Sequence, residues 1–410
     1  MPWPESVFHV VVAPDKFKGS LSAGEVARIV AEGFREGFLA AFVAGCRDRG
    51  LEPEGLGIAS TELPVADGGE GTVEAALRSA GFVPVTVEVP GPTGRTVEAT
   101  FARDADHGSD VVLVEMAQAS GLDRLPGGVP APLSATTRGT GELVRAALDA
   151  GAREVVLAAG GSATTDGGAG ILVALGARLL DAAGHDLPDG GAALLDLDRV
   201  DLSGLDPRAR AVRWTLAADV DNPLLGERGA AAVFGPQKGA SPADVALLDA
   251  ALTRFADVLA ATTGLDARDA PGAGAAGGVG FLALGFFGAT RRPGIEVVLE
   301  LAGWSERTKD ASLVITGEGS FDEQSLGGKT PVGVAAAAAR VPAPVVVLSG
   351  RRTLPEARWR AAGFSDARAL TDLEPDPAVC VRDAAPLLAR LARDLGAERG
   401  ARAAAQRPPS

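Results

Sequence analysis

Two hydrophobic rhythms take turns along this chain. Phe8 to Ala13 is a continuous apolar run stopped by Pro14, the pattern of a short buried strand. After the loop Asp15-Lys16-Phe17-Lys18-Gly19-Ser20, Ser22 and Glu25 stand three apart as a capping box, and Val26, Ile29, Val30, Phe34, Phe38 and Phe42 recur at helical spacing. The chain thus opens as strand, polar loop, helix, an arrangement whose ligand sites lie beyond the carboxyl ends of strands. The same order returns later. Ser312 to Thr316 predicts a strand, Gly317 to Lys329 a glycine-rich loop, and Thr330 an N-cap with Pro331 at the first helical position. An alanine-rich helix, Val332 to Arg340, then leads to a strand at Val345 to Leu348, a βαβ unit expected to be parallel.

The middle of the chain differs. Val83 to Val89 and Arg95 to Ala102 flank Pro90-Gly91-Pro92-Thr93-Gly94 as a hairpin. A helix is predicted from Ser134 to Ala150 and stopped by Gly151, followed by a strand at Val155 to Ala159. Ser241-Pro242-Ala243-Asp244 opens another capped helix, with Val245, Leu248, Leu252, Phe255 and Leu259 on one face. The expectation is an α/β protein: a discontinuous parallel-sheet domain at 1–83 plus 297–396, an α/β domain inserted at 84–296, and a disordered tail at 397–410.

Composition narrows the function. A length of 410 residues suits two or three domains and needs no disulfide or metal staple. With 39 basic and 53 acidic residues the net charge is −14, which argues against nucleic acid as a partner. His9, His107 and His185 are too scattered for a zinc site, and Cys46 and Cys380 form no C-x-x-C pair; two cysteines fit a reducing cytoplasm. Met1 to Val7 carries no signal-peptide pattern, and no run of about 18 apolar residues predicts a membrane span.

The chemistry concentrates in four glycine-rich loops: Ala66 to Thr72 with Gly68 and Gly69, Gly160 to Gly168, Gly235 to Gly239, and Gly317 to Lys329. Glycine lets backbone N–H groups converge on an anion; lysine adds a point charge for phosphate, and Asp or Glu can hold Mg²⁺. One such loop alone is as often a plain turn. Four together, without a His or Cys alternative, point to a nucleotide or phosphate site. Gly328-Lys329-Thr330 mimics the end of a Walker A motif, but that motif needs glycine at position 323, which is Glu. Lys16 fits either a ligand contact or a solvated loop lysine, and Asp67 either a ligand or an Asx-turn acceptor. His9 reads as a sheet residue, and Glu115 and Met116 as plain strand-end residues.

On these motifs the chain resembles the type I bacterial glycerate kinase family. The stretches that carry the resemblance are Ala13 to Ser20, Pro64 to Thr72, Glu115-Met116-Ala117, Ser134 to Gly141, Gly160 to Gly168, Asp219 to Leu224, Gly235 to Gly239 and Thr316 to Pro331, covering about residues 8–370. The resemblance implies ATP- and Mg²⁺-dependent phosphorylation of D-glycerate, with 2-phosphoglycerate as the usual product. It also implies a Rossmann-like domain carrying a second α/β domain, with the active site in the cleft between them. One departure is the stretch Gly37 to Glu62, longer than the family's usual link, which adds a helix extension and a loop at Gly50 to Ser60.

Residue types then suggest roles. Lys16, Lys238 and Lys329 are candidates for phosphate or glycerate carboxylate contacts, with Arg138 a further carboxylate candidate. Asp67, Asp166, Asp219 and Asp322 are candidates for Mg²⁺ or for taking the substrate hydroxyl proton; Asp67 or Asp166 is favoured as the base, and Asp67 and Asp219 as metal ligands. Asp322 is also a substrate-binding candidate. Gly68, Gly69, Gly160, Gly161, Ser162, Thr164, Gly317 and Glu318 are expected around the nucleotide. Phosphorylation at the 3-position and a non-catalytic nucleotide-binding regulator are the alternatives; a nicotinamide dehydrogenase is disfavoured because no G-x-G-x-x-G follows the first strand. D-glycerate and nucleotide are the expected partners, membranes are not, and a homodimer is compatible with the chain.

Overall fold

A computed structural model describes residues 6–53, 56–78, 81–105 and 110–407. His107 and the last three residues of the expected tail lie outside them. The chain divides into two compact units: residues up to Asp67 together with those from Val298 onward, and Gly68 to Val297.

The first unit is built on five parallel strands. Their order is Asp366–Ala369, Val345–Arg352, Leu313–Phe321, Ser6–Pro14, Leu56–Glu62. Val10, Val11, Val12 and Ala13 are buried, as a continuous apolar run in a central parallel strand requires. The Ser22–Glu25 capping box is formed, and the helix Ala23–Asp48 buries Val26, Ile29, Val30, Phe34, Phe38 and Phe42. Gly317 to Phe321, expected in a loop, instead continues the strand, with Gly317 paired to Leu348 and Ser320 to Arg351. Glycine there marks a close approach: a Cβ on Gly317 would overlap the Leu348 carbonyl.

The second unit carries a six-stranded sheet of order Thr290–Arg292, Arg213–Ala217, Glu154–Ala158, Val111–Glu115, Thr96–Asp104, Phe82–Pro90. The first four strands are parallel, and the predicted hairpin adds an antiparallel edge. The helix Pro242–Thr263 has its capping box and buries Leu248, Leu252, Phe255 and Leu259. The helix expected from Ser134 starts at Arg138, because the Thr137 amide and hydroxyl are drawn to a carboxylate described below.

Three expectations are corrected. The second unit begins at Gly68, not at 84, because Gly160 donates to the Gly68 carbonyl at 3.3 Å and Glu115 accepts from the Gly71 and Val73 amides at 3.1 and 2.9 Å. The loop expected at Gly50 to Ser60 gives way to a strand at Leu56. The tail is helical: one helix runs Ala384–Gln406, buries Leu388, Leu391, Leu395, Gly400 and Ala404, and packs along the extended first helix. Small residues at the crossing explain this, since a Cβ on Gly396 or Gly400 would overlap the Phe34 or Phe38 carbonyl. Arg49 donates to the Ala404 carbonyl, so the extra length of the first helix and the end of the last one cover each other. Among the described residues no helix is long and apolar enough to cross a membrane.

Removing residues 397–410 should therefore destabilise the first unit, by about 1.5–3 kcal/mol for each large apolar side chain uncovered. A thermal melt of the truncated protein checks this; an unchanged melting temperature would mean that the end of the helix contributes nothing.

Candidate active site

In the first unit the polar residues gather where the two central strands end. The Asp15 amide donates to the Gly317 carbonyl at 2.8 Å, and the Val65 amide to the Pro14 carbonyl at 3.0 Å, which brings three chain segments to one edge. The Asp15 carboxylate accepts from the Lys16 amide at 2.7 Å and the Thr330 hydroxyl at 2.8 Å. Burial and the Asp67 charge push the Asp15 carboxyl up to about 7, against the pull of Thr330 and Lys16. Glu318 is buried on the extended strand, and its Oε1 has no hydrogen-bond partner among the described residues. Burial, then the charges of Asp15 and Asp322, push its carboxyl up to about 7, while the Ser325 hydroxyl and Lys329 oppose this. Asp322 accepts from the Ser320 hydroxyl at 3.0 Å and the Gln324 amide at 2.9 Å. Lys329 does not continue a Walker-type loop. It is the N-cap of the helix Thr330–Ala338 and points its ammonium at Gln324 Oε1, 3.4 Å away. Thr330, expected as that cap, spends its hydroxyl on Asp15 instead.

Thus Lys16, Asp67, Gly317, Glu318, Asp322 and Lys329 share one strand-end cluster with Asp15 and Thr330. Of the last two, Asp15 was legible only as a motif member and Thr330 only as a helix cap within one. Their role follows from the pairing of Pro14 with Gly317, which residue spacing does not reveal.

In the second unit the Gly160–Gly168 loop follows the strand Glu154–Ala158. Asp166 lies wholly inside. It accepts from the Thr137 amide at 2.8 Å, the Thr137 hydroxyl at 2.9 Å, the Gly168 amide at 3.1 Å and the Gly170 amide at 3.3 Å. Burial pushes its carboxyl above the ordinary range and the four donors oppose the rise. Lys238 is also buried; its ammonium donates to Ser162 Oγ at 3.0 Å and the Thr164 carbonyl at 2.6 Å. Burial pulls Lys238 down to about 7, with the Asp166 charge acting against that. Gly160 packs against Gly68 and Gly69 so closely that a Cβ would overlap Gly69, and Gly161 has φ +75° with its carbonyl accepting from the Leu122 amide at 3.0 Å.

Asp219 accepts from the Gly294 amide at 2.8 Å, where the helix Gly294–Leu301 starts. Arg138 pairs with Asp189 at 3.1 Å, both side chains about one third exposed. Glu115, read as a plain strand-end residue, is fully buried and anchors the Gly71 and Val73 amides at the start of the helix Thr72–Leu77. A fifth glycine-rich segment, Gly272 to Gly280, belongs to the same region. It packs on the Gly160–Gly168 loop: Gly167 donates to the Gly277 carbonyl at 3.0 Å, and a Cβ on Gly277 would overlap the Thr164 carbonyl. Its glycine density was the available signal. Among the described residues no group of three or more His, Cys, Asp or Glu side chains is arranged to hold a metal by itself.

The glycerate kinase family model matches residues 10–398. The chain is 44% identical over 344 residues to the glycerate 2-kinase of Escherichia coli K12, covering 84% of this chain and 85% of that protein. It is 46% identical over 341 residues to the glycerate kinase of Bacillus subtilis 168, covering 83% and 84%. The crystal structure of a candidate glycerate kinase 2 from Salmonella typhimurium LT2 superposes with a TM-score of 0.77 at 42% identity, covering 96% of this chain and 98% of that one.

Two expectations follow from the electrostatics. Glu318 binds its proton up to about pH 7 when folded but only to its ordinary value of 4.5 when unfolded, so between those values the folded state holds more protons. Its contribution to stability is full below 4.5 and is lost as pH rises through 7, and Asp15 acts in the same sense. Urea titrations from pH 4 to 8 should show this fall in the native protein and a flatter profile in Glu318→Gln. Separately, Asp166→Asn aims an NH₂ at a site lined by donors and should cost about 2–4 kcal/mol, read as a lower urea midpoint; an unchanged midpoint would remove Asp166 from the anchoring role.

Proposed function

Because the chain belongs to the glycerate kinase family, we propose that it transfers the γ-phosphoryl group of ATP to the 2-hydroxyl of D-glycerate, giving 2-phosphoglycerate. Support for the 2-position comes from the Escherichia coli relative, whose name specifies it. The observation that carries the mechanism is the strand-end cluster, where the cations Lys16 and Lys329 lie among Asp15, Asp67, Glu318 and Asp322. Phosphoryl transfer asks mainly for positioning and charge neutralisation, and this set supplies both signs.

In this reading Lys16 and Lys329 contact phosphate oxygens and the Gly317–Gly319 backbone lies along the nucleotide. Arg138, paired with Asp189, is the second unit's candidate for a carboxylate contact. Asp67 accepts the proton of the substrate hydroxyl. It is preferred to Asp166 because four donors already occupy the Asp166 oxygens. The residues fit Mg²⁺ as well: their donors are hard carboxylate oxygens, Glu318 Oε1 is buried without a hydrogen-bond partner among the described residues, and Mg²⁺ takes only one or two carboxylates beside phosphate oxygens and water. Asp322 and Glu318 would hold it, and the ion would neutralise charge on the transferring phosphate. Two buried free cysteines accord with the reducing cytoplasm in which we place the enzyme.

The protein should release ADP only when D-glycerate, ATP and Mg²⁺ are all present, and NMR of the product should show the phosphate on the 2-oxygen. Asp67→Asn should lower kcat by about 10²-fold or more with the melting temperature kept. Lys16→Ala should lower kcat and raise KM for ATP. A fully active Asp67→Asn enzyme would remove that residue from the reaction, and a 3-phosphorylated product would overturn the regiochemistry.

A further inference from the structure

Lys238 sits at the end of a single 3₁₀ turn, Pro236–Lys238, closed by Gly239 at φ +89°. A lysine that meets a phosphate normally keeps its ammonium at an open surface, with only the stem covered. Here the whole side chain is inside, with 2% of its surface exposed. An ammonium has three donors. Two of them go to one short segment, Ser162 Oγ at 3.0 Å and the Thr164 carbonyl at 2.6 Å. Burying a cation is unfavourable unless partners compensate it, and the Asp166 charge four residues from Ser162 does so.

The same segment is held from a second direction. Ala276, Gly277 and Gly278 are three successive residues in the left-handed region, at φ +53°, +70° and +94°. For Ala276 that conformation is strained. It seats Gly277 against the Thr164 carbonyl, where no side chain fits, and lets its own carbonyl accept from the Gly167 amide. Between the two grips lie the Thr164 and Thr165 hydroxyls, both buried without a hydrogen-bond partner among the described residues. A loop that leaves two buried hydroxyls unpartnered keeps its shape only if its backbone is constrained from outside.

We propose that Lys238 is a positioning residue of the phosphoryl transfer: its ammonium locks the Ser162–Thr164 backbone against the left-handed turn at 276–278 and touches no phosphate. The proposal rests on the reading of Gly160–Gly168 as part of the kinase site. It replaces a phosphate contact for Lys238 with an internal one.

Hydrogen exchange and steady-state kinetics on the full-length protein test it. Lys238→Met keeps the length of the side chain and removes the donors. Amides of residues 163–168 should then exchange about tenfold faster or more, those of the first unit's strands should not change, and kcat should fall about tenfold while KM for ATP stays within about threefold. Ser162→Ala, which removes one of the two acceptors, should move exchange and kcat in the same direction by less. Unchanged exchange in 163–168 with a raised KM for ATP would make Lys238 a phosphate contact, and faster exchange with unchanged kcat would make it merely structural; either result overturns the proposal. Should Lys238→Met fail to fold, Ser162→Ala decides, and unchanged exchange in that variant overturns the proposal. Native enzyme without glycerate-dependent turnover would instead sink the functional reading, a result the exchange data do not depend on.

Discussion

The parallel pairing of Ser6–Pro14 with Leu313–Phe321 is the constraint on which the first unit depends. The Thr316 hydroxyl donates to the Ala13 carbonyl across 303 residues of sequence. The whole of the second unit lies between the two paired strands in sequence, and closing a loop of that length is an entropic cost that a large buried surface offsets. The surface is there: Val10, Val12, Leu313, Ile315, Val346 and Leu348 form one core with the first and last helices. The pairing register also sets Pro14 beside Gly317, and so decides that Asp15, Lys16, Glu318 and Thr330 meet at one edge.

Buried charge is handled in two ways. At Asp166 four donors meet one carboxylate, and at Lys238 two acceptors meet one ammonium; such groups hold structure, because removing one partner leaves a buried charge or dipole uncompensated. At Asp15 and Glu318 compensation is incomplete. Like charges crowd them, one oxygen of Glu318 is unpartnered, and their proton affinities rise toward neutrality. Incomplete compensation of that kind is what makes this edge the candidate for a ligand's charge in the proposed function. Asp166 belongs to the first group, its oxygens already taken by four donors, which is why the proposed role of base passes it over.

Local patterns were sufficient for much of this. Capping boxes at Ser22 and Ser241, the apolar runs at Phe8–Ala13 and Val345–Leu348, and the hairpin about Pro90–Gly94 are read within one turn or one strand, and each is where the pattern puts it. The motifs that carry the resemblance identify the family for the same reason, since each is a short contiguous string.

What the sequence alone could not determine depends on neighbours far away in the chain. Gly317 to Phe321 reads as a loop because four polar or glycine residues before Phe321 lack a strand's periodicity; pairing with Leu348 to Arg352 makes it a strand. The segment from Ala397 reads as disordered because alanine and arginine show no apolar face; the small residues of the first helix make a helix of it by letting two backbones approach. Glu115 and Thr330 look ordinary until the Gly71 and Val73 amides and the Asp15 carboxylate are brought to them. Chain-local propensities determined the elements and the family. Close backbone approach and long-range hydrogen bonding, which no window of sequence contains, decided which buried charges are fully compensated and which are not.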